Sequence, residues 1–179
     1  MPVIMSIVGK SGSGKTTLIE KLVPELNRRG MRIGTIKHSA HNIEMDKPGK
    51  DSWRHKQAGA VTVMVVAPQT IAMVKSMPSP NLYGLEKYFD DVDLVLTEGF
   101  KSGPMPKIEV FRQAAHSEPL CRDDDQLIAF VTDTAIDSGV PTFGLEDVVQ
   151  LADLIEERYN AAYQSAEHRN SPLPTDISD

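Results

Sequence analysis

Residues 9–16 read Gly-Lys-Ser-Gly-Ser-Gly-Lys-Thr and fit the pattern G-x-x-x-x-G-K-[ST]. That spacing suits one kind of chemistry, the cradling of a triphosphate. A triphosphate carries several negative charges and many acceptor oxygens. Gly12 and Gly14 let the backbone turn tightly and approach those oxygens without a Cβ in the way. The N–H groups that open the following helix point into the loop and favour an anion. Lys15 supplies a mobile positive charge for the β- and γ-phosphates. The Thr16 hydroxyl is a ligand for Mg²⁺, a cation that keeps several waters and takes phosphate oxygens as partners. The phosphate-binding set is thus Gly9, Lys10, Ser11, Gly12, Ser13, Gly14, Lys15, Thr16 and Thr17.

A phosphate loop of this type needs an acidic metal partner at the end of a neighbouring strand. Leu94-Val95-Leu96-Thr97-Glu98-Gly99 supplies it, and Glu98 is assigned to the metal or to a positioned water. Lys15 and Glu98 are the two candidate catalytic groups. Asp93 begins the same run at the opposite edge of the sheet and is read as structural. A third carboxylate is sought in the polar stretch after residue 37, where Asp46 and Asp51 are the candidates. Asp51 is favoured for the metal, although it also fits a helix N-cap. The candidate metal ligands are then Thr16, Glu98 and one of these two carboxylates, with Asp51 ahead of Asp46. His38 and His41 stand at His-x-x-His spacing. With no cysteine pair to accompany them, they read as a solvated loop or a substrate contact rather than a transition-metal site. Lys37, Arg54, Lys101, Lys107 and Arg112 are scattered positives that, as a set, suit a second anionic ligand or the stabilisation of transferring phosphate.

The elements around these residues follow from hydrophobic period and punctuation. Val3-Ile4-Met5-Ser6-Ile7-Val8 is a buried strand that leads into the loop. A helix follows from residue 15 to about 29, ends at Gly30, and must kink or split at Pro24. Further strands are expected over 31–37, 92–97, 127–132 and 141–143. Residues 107–112 alternate polar and apolar, as a strand with one solvated face does. Residues 61–67 and 70–75 flank Pro68-Gln69 and read as an antiparallel hairpin. Short helices are expected over 52–58, capped by Asp51, and over 82–89. A closing amphipathic helix covers 145 to about 163. The fold class is α/β: a mostly parallel nucleotide-binding sheet with helices on both faces and an antiparallel hairpin extension. Ligands of such sheets bind beyond the carboxyl ends of the strands. Gly9, His38, Glu98 and Asp133 all fall at ends of that kind.

The chain has 179 residues, a size suited to one domain over 1–164 with a polar, disordered tail over 165–179. A net charge of −6 argues against nonspecific nucleic-acid binding as the main activity and leaves room for a small basic phosphate pocket. The single cysteine, Cys121, forbids an intrachain disulfide. The apolar run before Gly9 is too short for a signal or a membrane span. A cytoplasmic protein is the expectation.

Taken in order, several segments resemble the molybdopterin-guanine dinucleotide biosynthesis protein B family (MobB). They are the phosphate loop with Thr17-Leu18, then Ile36-Lys37-His38, Asp46-Lys47-Pro48-Gly49-Lys50-Asp51-Ser52 and Ala58-Gly59-Ala60. Thr97-Glu98-Gly99-Phe100-Lys101 and Pro106-Lys107-Ile108-Glu109-Val110 with Arg112 complete the set. The resemblance covers about residues 3 to 133. It implies a GTP-binding protein with Mg²⁺ and weak GTPase activity, accessory to the guanylyltransferase that joins GMP to molybdopterin. It also implies a homodimer built through extended strands, for which the hairpin over 61–75 is the candidate. Asp133, after Thr132, is the candidate for pairing with a guanine edge, since the tetrad Asn-Lys-x-Asp is absent from this chain. Two other readings share the loop. One is an ATP-dependent small-molecule ligase or kinase resembling dethiobiotin synthetase, separable by its preference for ATP. The other is a nucleotide switch in which residues 39–51 order and disorder.

Overall fold

The structure is a computed structural model that describes residues 2–39, 41, 43–78 and 81–170. Within the span read as one domain, the chain groups into two compact units. The larger unit comprises residues 1–38 and 87–179, and the smaller comprises residues 39–86.

The larger unit is built on a six-stranded sheet. Its strands are β1 (Val3–Val8), β2 (Ile33–Lys37), β5 (Leu94–Glu98), β6 (Lys107–Phe111), β7 (Leu127–Thr132) and β8 (Thr142–Phe143). They lie in the order β2-β5-β1-β6-β7-β8, and every neighbouring pair is parallel. The central strands are nearly continuous in β-branched and apolar residues, as strands covered on both faces must be. Parallel pairing places all strand ends at one edge, and the phosphate loop leaves the sheet there.

One face carries the main core. Met5, Ile7, Leu94, Leu96, Ile108, Val110, Ala129 and Val131 alternate along their strands and point to the same side. Leu18, Leu22 and Leu26 of helix α1 (Lys15–Arg28) meet them at helical spacing, as do Leu151, Ala152 and Ile155 of helix α4 (Val148–Asn170). Pro24 sits inside α1 without splitting it. The expected end of α4 near residue 163 is corrected: the helix continues through Asn170, so the first residues assigned to the tail are helical. Residues 171–179, the rest of that tail, lie outside the described residues.

On the other face Val8, Phe111, Cys121, Leu127 and Phe130 form a second cluster with Ile136 and Val140 packed against it. Here the expectation for residues 107–112 is overturned. All of β6 is buried, and neither face is solvated. Its polar residues are kept by dedicated partners instead. Lys107, 2 % exposed, pairs with Asp124 at 2.9 Å. Glu109 accepts hydrogen bonds from the backbone N–H of Leu120 at 2.6 Å and of Cys121 at 2.8 Å. Two buried charges thereby fasten the segment 112–126 to the sheet. Burial, with a smaller push from the Glu109 carboxylate, raises the Cys121 thiol to about 11, which keeps it protonated and unreactive.

The smaller unit holds helix α2 (Asp51–Gln57), strands β3 (Thr62–Ala67) and β4 (Thr70–Lys75), and helix α3 (Leu82–Leu85). A 3₁₀ turn, Glu86–Tyr88, completes the stretch expected as one helix over 82–89. The hairpin is antiparallel, with Met64 opposite Met73 and Val66 opposite Ile71. Lys50 is the N-cap of α2, so Asp51 is the first helical residue and not the cap expected of it. A carboxylate in a first turn still complements the helix dipole.

Candidate nucleotide site

The loop between β1 and α1 brings its backbone close to β6. A Cβ on Gly9 would lie 2.4 Å from the Val110 carbonyl oxygen and 2.7 Å from Ser13 Oγ, and its φ of +146° is open to glycine. Glycine is therefore required by a close approach as well as by the turn. α1 begins after Gly14 with no side-chain cap and no acidic residue in its first turn. Its leading N–H groups are left for a ligand, and the dipole favours an anion there.

Lys15 folds back over the loop and donates to the Lys10 carbonyl at 2.8 Å. Burial lowers the pKa of its ammonium; the Glu98 carboxylate opposes this and Lys37 adds to it. The loop is braced from outside by His116, whose Nε2 lies 2.7 Å from the Ser11 carbonyl oxygen. His116 belongs to the segment that Lys107 and Glu109 fasten down. Nothing in the sequence flagged this contact, because it spans elements far apart in the chain.

Thr16 and Glu98 are brought together. The Thr16 hydroxyl donates to Glu98 Oε2 at 3.0 Å, and Lys37 Nζ lies 3.2 Å from Glu98 Oε1. Register explains the meeting: Glu98 is level with Ile7 on one side and Lys37 on the other. After it, Gly99 takes φ +108°, and a Cβ there would lie 3.1 Å from His38 Cβ. Phe100 follows at φ +55° and packs against His38 in a tilted arrangement with ring centroids 4.7 Å apart. His38 is thus a packing partner of the strand end. A hydroxyl and a carboxylate side by side are a hard oxygen donor set, which fits Mg²⁺ completed by phosphate and water. Among the described residues no group of three or more His, Cys, Asp or Glu could hold a metal by itself.

Other expected residues are placed differently. Asp51 belongs to the smaller unit, exposed in the first turn of α2. Asp93 is structural, as expected, and is held by Arg32 at 2.9 Å. Asp133 stands at the end of β7, where Arg112 reaches it at 3.0 Å and holds its carboxyl below the usual range. Lys107 does not join the cationic set, since it is buried against Asp124. A cavity of about 170 Å³ opens beside the loop, with Ser13, Gly14, Thr17, Lys21, Arg112 and Glu146 among its lining residues. The Lys21–Glu146 pair at its rim was not foreseen; its partners are distant in sequence and carry no motif.

Comparison with known proteins bears on the family and the fold. The family described as Molybdopterin guanine dinucleotide synthesis protein B matches residues 4–133. The molybdopterin-guanine dinucleotide biosynthesis adapter protein of Haemophilus influenzae is 43% identical over 156 residues, covering 86% of this chain and 87% of that protein. The Escherichia coli protein of the same description is 38% identical over 160 residues, covering 86% and 91%. A crystal structure of molybdopterin-guanine biosynthesis protein B superposes with a TM-score of 0.71 at 32% identity, over 88% of this chain and 99% of that one. No helix among the described residues is long and apolar enough to cross a membrane. With a parallel six-stranded sheet, a hairpin-bearing second unit and the matched segments in order, the chain belongs to the molybdopterin guanine dinucleotide synthesis protein B (MobB) family.

Proposed function

We propose that the chain binds GTP with Mg²⁺ and serves as an adapter in molybdopterin-guanine dinucleotide synthesis, acting on the guanylyltransferase that joins GMP to molybdopterin. The observation that carries the nucleotide part is the Thr16–Glu98 contact at the mouth of the loop. It sets a hydroxyl and a carboxylate where a loop-bound triphosphate would present its metal. Gly9 to Thr17 hold the phosphates. Lys15 leaves the Lys10 carbonyl for a phosphate oxygen, an anion that favours the charged ammonium which burial disfavours. Mg²⁺, when bound, neutralises charge that develops on the phosphates.

The adapter role is drawn from the relatives, whose descriptions give them that task. Hydrolysis by the isolated chain is slow, and a residue supplied by a partner raises it by a factor of ~10³ or more. The hairpin supports a homodimer. Two strands alone are marginal in water, yet Met64, Val66 and Ile71 are exposed on this one. A second copy would cover them.

The test is a titration of GTP against ATP, each with and without Mg²⁺, repeated with molybdopterin present. Mg²⁺-dependent binding that favours GTP supports the reading. A strong preference for ATP would move the chain to the small-molecule kinase class.

A further inference from the structure

We propose that Lys21 and Glu146 read the nucleobase, as a donor–acceptor pair matched to the Watson–Crick edge of guanine. The inference rests on the reading that the loop at 9–16 holds a nucleoside triphosphate. It begins from the cavity beside that loop. Ser13 and Gly14 belong to both, so a ligand with its phosphates on the loop can continue into the cavity. Leu18, Val110, Val131 and Leu145 give the cavity apolar walls, which suit a flat aromatic ring.

The rim carries the polar selectivity. Lys21 Nζ donates to both carboxylate oxygens of Glu146 at 2.7 Å. A carboxylate has about four lone-pair positions and an ammonium three donors, so each keeps capacity for a ligand. Glu146 is 81% exposed and reachable. Guanine presents an O6 acceptor beside N1–H and N2–H donors. The ammonium serves the first and the carboxylate the other two. Adenine presents an N6–H donor beside an N1 acceptor. The same pair would meet it with donor facing donor and acceptor facing acceptor, which is a basis for rejection.

Asp133 is the less suitable reader, because Arg112 rather than Asp133 lines the cavity. The walls come from α1, from β6 and β7, and from the segment after β8. A base held there touches the strand-end loops and the helix that carries the phosphate loop.

Binding of GTP, ATP and base-free tripolyphosphate is measured by calorimetry with Mg²⁺ on three proteins. These are the wild type, Glu146→Ala, and the exchange variant Lys21→Glu with Glu146→Lys. An exposed ion pair contributes little to stability, so the variants fold. The wild type favours GTP over ATP by about tenfold or more, the size of one charged hydrogen bond. Glu146→Ala brings the two within about threefold and leaves tripolyphosphate unchanged. The exchange variant, which offers an acceptor to N6–H and a donor to N1, favours ATP. A wild-type GTP:ATP ratio in Glu146→Ala would overturn the reader while leaving the triphosphate site intact. So would an equal loss of GTP and tripolyphosphate. A wild type that binds neither would overturn the triphosphate reading itself.

Discussion

The Thr16 hydroxyl and the Glu98 carboxylate, 82 positions apart in the chain, meet at 3.0 Å where the sheet ends. The parallel register of β1 and β5 makes this contact, since Glu98 is level with the last turn-ward residues of β1. A metal that bridges protein and phosphate needs both oxygens. Thr16→Ala and Glu98→Gln should each weaken Mg²⁺-dependent GTP binding by about 10–100-fold. Binding in EDTA should change far less. Titrations with and without Mg²⁺ check this, and an equal loss in both conditions would count against a metal role.

Gly9 is fixed by space. A Cβ at 2.4 Å from the Val110 carbonyl oxygen cannot be accommodated without moving β6 or the loop. Gly9→Ala should destabilise the fold by at least the ~1–3 kcal/mol typical of a strained backbone. Urea unfolding midpoints measure it, and a midpoint equal to wild type would show that the approach is not tight.

The pairing of buried Lys107 on β6 with the partly exposed Asp124 predicts a pH dependence. Lys107 holds the Asp124 carboxyl below its ordinary value, helped by the Gln126 N–H. A depressed carboxylate contributes stability above its unfolded pKa, about 3.9, and that stability is lost as pH falls through the folded value. Asp124→Asn leaves the Lys107 ammonium buried beside a weaker partner. The variant should lose about 1–3 kcal/mol at neutral pH. Between about pH 5 and 3 its urea midpoint should fall less steeply than that of the wild type. Parallel slopes would show that the pair is not coupled to folding.

Much of this fold is written locally. The strand before Gly9, the helix after Gly14 and the hairpin around Pro68-Gln69 are set by neighbours in sequence, and they form where expected. Glu98 was legible because an apolar strand ending in an acid is itself a local pattern. β6 was misread for a physical reason. Alternation marks a strand but does not say whether its polar face meets water or buried partners. Lys107 finds Asp124 and Glu109 finds the Leu120 and Cys121 amides, all supplied by a segment with no periodicity of its own. Arg112 with Asp133 and Lys21 with Glu146 were hidden for the same cause. Such pairs exist only once the sheet has aligned its strand ends.

The hairpin in the smaller unit predicts self-association. Val66 and Ile71 face each other across β3 and β4, and both are exposed. Placing lysine at both positions should shift the chain from dimer to monomer in light scattering at micromolar concentration, with the far-UV spectrum unchanged. A wild type that is monomeric throughout would remove the proposed dimer.

The central claim is that residues 9–16 hold a Mg²⁺–triphosphate, and Lys15 tests it most directly. Calorimetric titration of GTP with Mg²⁺ into the wild type should show saturable binding, and Lys15→Ala should bind at least about 100-fold more weakly. Equal affinity in the two proteins would contradict the account.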